Sequence, residues 1–489
     1  MKGYKIRKNK NIFNLKSQKG QAAILLTFFI MIFIVAIILG LTSIVLKEKK
    51  MIEEMDNSML SFYATDTGIE HSLYNILKED GDGQVSDDLD ITIGTKYNVI
   101  TTNESSLATS TDSLSSNEGG FTSIYSMGKY KDKLYAGTNG ACLVHVCNPA
   151  DSDDPTTCDS GDWSFSKNLK IGPNACHVTD FKEYKGKFYV SSREGTENNW
   201  NSGSVHYCDS AVCGPADWTR SHTGIAFHSL EEYNGKLYAA GGDSKGIYVC
   251  DPADGATCNQ GDWTLSLNPP GFPVQTQIYS LFVNENEGKL YAGTHGTAEV
   301  WICDSSGADG VCRDDDGEWK ESTGGGLSGG LFGGAVGSIF SFSDYKQKTY
   351  ASTYPGAIFI YDSSSGAWEE SRGKSVFDLE HAGHINAIIP YKYELYAGSS
   401  NAFFYECRDK DGDGECLESD GEWQLALDFT VEKSCNEIYS LIEYKDILYI
   451  GTDSCGGTTT GNIYMYSAQP IIYSTGEYRD TKRALEVRY

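Results

Sequence analysis

Motifs of catalysis are scarce in this chain. None of its fourteen cysteines forms a CxxC pair, which excludes a zinc ribbon and a thioredoxin-like redox site. There is no P-loop, and the glycine-rich run from 324 to 334 lacks a following Lys-Ser or Lys-Thr, so it reads as a connector between repeats. The nine histidines are scattered; the closest pair, His381 and His384, has no HExxH context. These absences point away from an enzyme.

Two further absences lie at the N-terminus. No residue from Ala22 to Leu46 is charged, and the run exceeds the roughly 20 residues a helix needs to cross a bilayer. The leader before it carries Lys2, Lys5, Arg7, Lys8, Lys10, Lys16 and Lys19 but no acidic residue. A transmembrane helix is expected there, with the N-terminus in the cytoplasm and everything after Lys50 outside. Past the membrane, Ile52, Met55, Met59, Phe62, Ile69, Leu73 and Ile76 recur at helical spacing, so one helix is expected to continue to about Lys78.

An ordinary secretory signal is cut after its apolar run. Here the only plausible junction, Gly20 before Gln21, precedes it. A basic leader, cleavage after glycine and a retained apolar helix resemble the type IV pilin and type II secretion pseudopilin superfamily. The fifth mature residue is Leu25, where most pilins carry glutamate; this is similar to minor pilins and the tip pseudopilin. The ending STGEYRDTKRALEVRY resembles the strands that close the small sheet of minor pilins. The resemblance implies processing at Gly20 and Gln21 by a prepilin peptidase, and partnership with other pilin subunits through the N-terminal helix.

The body is acidic and rich in cysteine. The formal charge is −27, and because residues 1–50 hold ten Lys and Arg against one Glu, the remainder carries −36. Such a surface repels nucleic acid. All the cysteines follow the apolar run and form an even set, as expected of an oxidising, extracytoplasmic compartment. Five local pairs bracket polar hairpins: Cys147 with Cys158, Cys208 with Cys213, Cys250 with Cys258, Cys303 with Cys312, and Cys407 with Cys416. The connectivity of Cys142, Cys176, Cys435 and Cys455 stays open at this level.

One phrase returns seven times between Phe121 and Tyr466, as in SIYSMGKYKDKLYAGT from Ser123 and IYSLIEYKDILYIGT from Ile438. Repeats of this length make a propeller, a solenoid or an array. Each phrase holds two alternating apolar runs around a tight turn such as Tyr233 to Lys236; a third run follows, then a fourth announced by Trp163, Trp218, Trp263, Trp319, Trp368 or Trp423. Four strands per repeat is a propeller blade. The seventh repeat has no Trp-led strand, so either the polar stretch after Asn103 completes it or it keeps three.

The expected fold is therefore mainly β. It is a seven-bladed β-propeller inserted in an α+β pilin-like domain with a long N-terminal transmembrane helix. The expected divisions are a leader at 1–20, helix, stem and first strand at 21–101, and a linker at 102–120. The propeller follows at 121–467, and the closing strands at 468–489.

Candidate sites are few. Asp409, Asp411, Asp413 and Glu415 flank a glycine turn and match the opening half of an EF-hand loop, which suggests a structural Ca²⁺. The alternative is that Asp and Gly simply form turns there. In the longest second-strand loop, Trp200 with Asn198 and Asn199 suits contact with a glycan or protein ligand, the alternative being a Trp folded back on its own blade, and Tyr354 is a similar, weaker candidate. The expected function is recognition or adhesion by a minor (tip) pilin at the cell surface. The rival is a membrane-tethered hydrolase or lyase acting on glycans, which would need carboxylates or arginines at the channel mouth. The innermost strands, read through Ile124, Ser126, Ile278, Ser280, Ile438 and Ser440, do not supply them.

Overall fold

The computed structural model describes helical residues between 26 and 70, the strands Ser86–Asp88 and Thr95–Thr111, and residues 123–488 except for short loops. Those loops are 150–156, 160, 197–198, 243–245, 253–254, 256, 269–276, 306–309, 315–316, 324–326, 328–336, 364, 373–382, 393, 410–413, 457–460 and 479–480. The chain divides into two compact units, Met1–Asn103 with Pro470–Tyr489, and Glu104–Gln469.

In the first unit every described residue between 26 and 70 is helical, and the apolar side chains from Leu26 to Leu46 are exposed. No helix among the described residues is long and apolar enough to cross a membrane, the described part of the apolar run being interrupted at 36, 40, 43 and 45. Ser86–Asp88 pairs antiparallel with Thr95–Thr111, and Ile471 to Tyr478 pairs with Thr481–Arg488. The proposed processing residues Gly20 and Gln21 lie outside the described residues.

The second unit is a β-propeller of seven antiparallel blades. Blade one shows the pattern: Ile124–Tyr130, Lys133–Thr138, Leu143–Cys147 and Trp163–Asn168, each paired to the next. The first hairpin turns on two residues with positive φ, such as Lys131 (44°) and Asp132 (57°), or Asn234 (49°) and Gly235 (71°). Positive φ at both central residues is the type I′ turn whose twist matches paired strands.

The recurring Leu-Tyr-Ala-Gly phrase of the second strand is a packing code. Leu134, Tyr135 and Ala136 are wholly buried. A Cβ on the glycine would collide with the next blade: on Gly293 it would lie 2.7 Å from Ile339 Cγ2, and on Gly137 it would strike Val178. Glycine lets the following inner strand press against the backbone.

Tyrosines tie each blade to the next. The hydroxyl ending the first strand donates to a backbone carbonyl in the neighbouring hairpin: Tyr130 to Gly186 (2.6 Å), Tyr184 to Gly235 (2.9 Å), Tyr233 to Gly288 (2.8 Å) and Tyr391 to Asp446 (2.7 Å). The same bond from Tyr444 to Asp132 (2.7 Å) closes the ring, helped by Ser440 Oγ donating to the Ile124 carbonyl (3.2 Å). Second-strand tyrosines accept the N–H of a disulfide cysteine one blade on, as Tyr135 does from Cys213 (3.1 Å) and Tyr449 from Cys158 (3.0 Å). Each fourth-strand tryptophan from blade two to blade six donates to a serine of the blade before, such as Trp218 to Ser166 (3.0 Å) and Trp423 to Ser371 (3.1 Å). Most of the buried phenol and indole groups are thereby satisfied between blades.

Blade seven takes its outer strand from the N-terminal side. Thr95–Thr111 pairs with Gly461–Tyr478, next to Ile447–Ser454 and Ile438–Tyr444. Blade seven therefore does not keep three strands: it gains the strand Thr95–Thr111, in which residues 102–111 are strand where a linker is expected from the sequence. All fourteen cysteines are bridged: the five local pairs, plus Cys142–Cys176 and Cys435–Cys455.

Candidate functional site

Every innermost strand breaks register at the same place. The shifts fall between Ile124 and Ser126, Val178 and Asp180, Phe227 and Leu230, Ile278 and Ser280, Ile339 and Ser341, Ile385 and Ala387, and Ile438 and Ser440. A bulge leaves a residue unpaired and re-aims its side chain. The residues so placed, Tyr125, Thr179, His228, Tyr279, Phe340, Asn386 and Tyr439, all line one central cavity of about 740 Å³. Of the positions on which the sequence reading relied, Ser126, Ser280 and Ser440 also line the cavity, and, against the expectation that the innermost strands supply no carboxylate, Asp180 and Glu231 of those strands line it too.

His177, Arg193, His295 and His384 join that girdle. Two chains of rings result. Trp200 meets His177 edge-on at 4.4 Å, His177 meets Tyr125 at 5.3 Å, and Tyr125 meets Tyr439 at 5.3 Å. On the other side His228 lies 4.3 Å from Tyr279, which stacks on His295 at 4.5 Å. Phe340 follows at 5.6 Å from Tyr279, then His384 at 5.0 Å from Phe340, then Tyr354 at 4.4 Å from His384.

Arg193 is the positive centre of this site. Its Nη2 donates to Tyr125 Oη (3.0 Å) and reaches His177 Nδ1 (3.3 Å), while Nη1 lies 3.4 Å from His228 Nδ1. The guanidinium sits over the Tyr125 and Trp200 rings at 5.3 and 5.0 Å. Among the described residues it pairs with no carboxylate, although Asp180, Glu231 and Glu437 also line the cavity. Those carboxylates have donors of their own. Asp180 accepts from Ser229 Oγ (2.9 Å) and the Leu230 N–H (2.8 Å), Glu231 pairs with Lys182, and Glu437 accepts from Asn386 Nδ2 (3.0 Å).

The imidazoles stay neutral. Burial, and then repulsion from Arg193, push His177 down to about 2, and the same two causes lower His228 and His295. Unfolded, such an imidazole takes a proton below its ordinary value of 6.5; folded, His177 does not, so its contribution is full above 6.5 and shrinks as the pH falls toward 2. Between pH 7 and pH 5 the wild type should therefore lose about 2 kcal/mol relative to His177→Asn. Denaturant titrations of both proteins at the two pH values measure this, and parallel pH dependences would show a protonated imidazole instead.

The sequence-proposed ligand residues divide. Trp200 is half-buried against His177 and Arg193 of its own blade rather than projecting from a loop, because the strands Lys187–Thr196 and Asn199–Cys208 continue almost to the turn. Asn199 opens the second of these strands, and Asn198 lies outside the described residues. Tyr354, 37% exposed, precedes Pro355 and borders the girdle through His384. Of the closest histidine pair, His384 belongs to the site and His381 lies outside the described residues. The sequence reading missed His177, Arg193, His228 and His295. Aligning the seven phrases on their first apolar residue would have exposed the column Tyr125, Thr179, His228, Tyr279, Phe340, Asn386 and Tyr439.

The candidate calcium loop is already engaged where it is described. Asp409, its side chain fully buried, holds Lys346 Nζ at 2.9 Å and the Gly414 N–H at 2.8 Å, and Glu415 holds Lys348 at 2.6 Å. Asp411 and Asp413 lie outside the described residues, among which no group of three or more His, Cys, Asp or Glu could hold a metal ion. Both lysines come from the hairpin of blade five, which only the ring brings beside this loop.

No protein-family model matches the chain, and no curated protein sequence does. Solved structures with a similar fold include YCF48 bound to D1 peptide, at 11% identity and TM-score 0.46 over 75% of this chain and 97% of that one. The WD40 β-propeller domain of Doa1 is 10% identical with TM-score 0.44, over 73% of this chain and 96% of its own. The extracellular domain of a putative hybrid two component system from B. thetaiotaomicron is 10% identical with TM-score 0.48, over 81% and 61%. At these identities the likeness concerns the fold alone.

Proposed function

We propose that this protein is a recognition module: a minor, tip-located pilin or pseudopilin that displays its propeller outside the cell. The observation that carries the reading is the channel girdle, a cavity of about 740 Å³ lined by aromatic rings and neutral imidazoles around one buried guanidinium. Its size and its few convergent polar groups are those of a ligand pocket. The ligand is a glycan or a protein.

The anchoring half of the proposal rests on the N-terminal residues. Leu26, Phe28, Phe29, Met31, Phe33 and Leu39 are each more than 60% exposed. An apolar helix of this kind needs lipid or a bundle of like helices around it. Neighbouring pilin subunits would supply the bundle after a prepilin peptidase cuts at Gly20. Seven disulfides favour an oxidising, extracytoplasmic location. A bulky propeller would obstruct subunits stacked above it, which favours the tip.

Binding, rather than catalysis, fits the carboxylates. A glycan hydrolase needs a free acid and a free base, whereas Asp180, Glu231 and Glu437 are each committed to neighbouring donors. A structural Ca²⁺ at Asp409 and Glu415 is a separate proposal and would have to displace Lys346 and Lys348. Calorimetric titration with Ca²⁺ tests it.

Immunogold electron microscopy of native filaments, with an antibody against residues 121–467, tests the display reading. Gold confined to filament ends is expected. Gold spread over a cell surface that bears no filaments would overturn it and leave a tethered receptor.

A further inference from the structure

We infer that the channel girdle binds the carboxylate of an acidic sugar, with Arg193 as the anion-binding group. The inference rests on the recognition reading above and names the ligand class for the same site. It begins from a charge without a counter-charge. Arg193 lies in the second strand of blade two, is 8% exposed and lines the cavity, yet its neighbours there are phenols, an indole and imidazoles. A buried charge is costly unless it is paired. This one is held by neutral groups only, and its Nε has no partner.

The hydrogen-bond directions sharpen the point. A guanidinium can only donate, so His177 and His228 accept through Nδ1 and carry their protons on Nε2. Tyr125 Oη likewise accepts from Arg193 and keeps its own proton to give. The site thus assembles N–H and O–H donors around a positive charge and leaves the acceptor to be brought in. A carboxylate supplies two acceptor oxygens and the missing charge, and the planar guanidinium fork matches it.

The rest of the girdle selects the carrier of that carboxylate. Tyr125, Tyr279, Phe340 and Tyr439 present aromatic rings to a cavity of about 740 Å³, room for a short saccharide but not for a folded domain. Sugar C–H faces pack on such rings while their hydroxyls meet imidazole and amide groups. The formal charge of −27 disfavours extended polyanions at long range, so a ligand with a single carboxylate suits the protein better than a nucleic acid.

The test uses the full-length protein in detergent micelles, with glucuronate as the probe and glucose as its neutral counterpart. Calorimetry or saturation-transfer NMR should find glucuronate bound and glucose at least tenfold weaker. Arg193→Met should weaken glucuronate at least tenfold, with Arg193→Lys in between; if the Met variant does not fold, the Lys variant alone must still bind several-fold more weakly than wild type. Equal binding of glucose and glucuronate, or unchanged affinity in the Arg193 variants, would overturn the assignment. So would binding of N-acetylated acidic dipeptides in place of glucuronate. If gold marks filament ends but glucuronate does not bind, the recognition reading survives and this one fails. If glucuronate binds but no filament is labelled, the sugar site stands and the tip display fails.

Discussion

Gly451→Val should open the ring between blade seven and blade one. A Cβ at this position would lie 2.9 Å from Ile124 Cγ2 and would strike Ser440 Oγ, whose hydrogen bond to the Ile124 carbonyl closes the propeller. Valine adds two more carbons to a contact that has no room for the first. Neither side can retreat cheaply, since Ile124 is wholly buried and Ser440 nearly so. Overpacking of a tight core costs about 1–3 kcal/mol, and because this seam alone joins the two ends of the blade series, the upper end is expected. Gly161→Ala is the control: its added Cβ would meet nothing within 4 Å. Chemical denaturation should place the Gly451 variant about 3 kcal/mol below wild type and the Gly161 variant within about 0.5 kcal/mol of it. Equal midpoints for the two would mean that the seam is looser than described.

Removing the Cys142–Cys176 bridge should cost a similar amount by another route. This bridge encloses the longest segment of the seven, 34 residues, and joins blade one to the first strand of blade two. The loop-closure model gives about 3–4 kcal/mol for a segment of that length, against about 2 kcal/mol for the 5-residue segment between Cys208 and Cys213. Both sulfurs are buried, and the backbone between them is already bonded: the Cys142 N–H donates to the Cys176 carbonyl (3.2 Å) and the Cys176 N–H to the Gly140 carbonyl (3.3 Å). The double variant Cys142→Ala, Cys176→Ala should therefore fold to the same strand content and unfold at markedly lower denaturant. A double variant of Cys208 and Cys213 should fall between it and wild type. Should the two double variants unfold at the same midpoint, segment length would not be the controlling quantity.

Much of the propeller was readable because its information is local and repeated. The turn at Asn234 and Gly235 is local to its hairpin, and the Leu-Tyr-Ala-Gly phrase and the Trp-led fourth strands, although they also pack between blades, recur at similar places in the repeats. Local cysteine pairs could be read for the same reason: each closes one hairpin. Residue type alone points to Trp200 and Tyr354, which lie at the rim of the site, but nothing local in the sequence points to their ring partners His177 and His384. The calcium loop shows only its own carboxylates in the sequence, whereas the charges that meet Asp409 and Glu415 belong to the preceding blade.

By itself, then, the sequence determined seven repeats, a fourth strand in six of them, their hairpin turns and the pairing of ten cysteines. The turns and the local cysteine pairs depend on neighbours within about a dozen residues, where periodicity and turn chemistry act. Tertiary structure decided which strand completes blade seven, how the last four cysteines pair, and that Arg193 meets Tyr125, His177 and His228. These depend on closing a ring. Tyr125 and Arg193 are 68 residues apart in the chain and become neighbours only because each inner-strand bulge turns a side chain toward one axis.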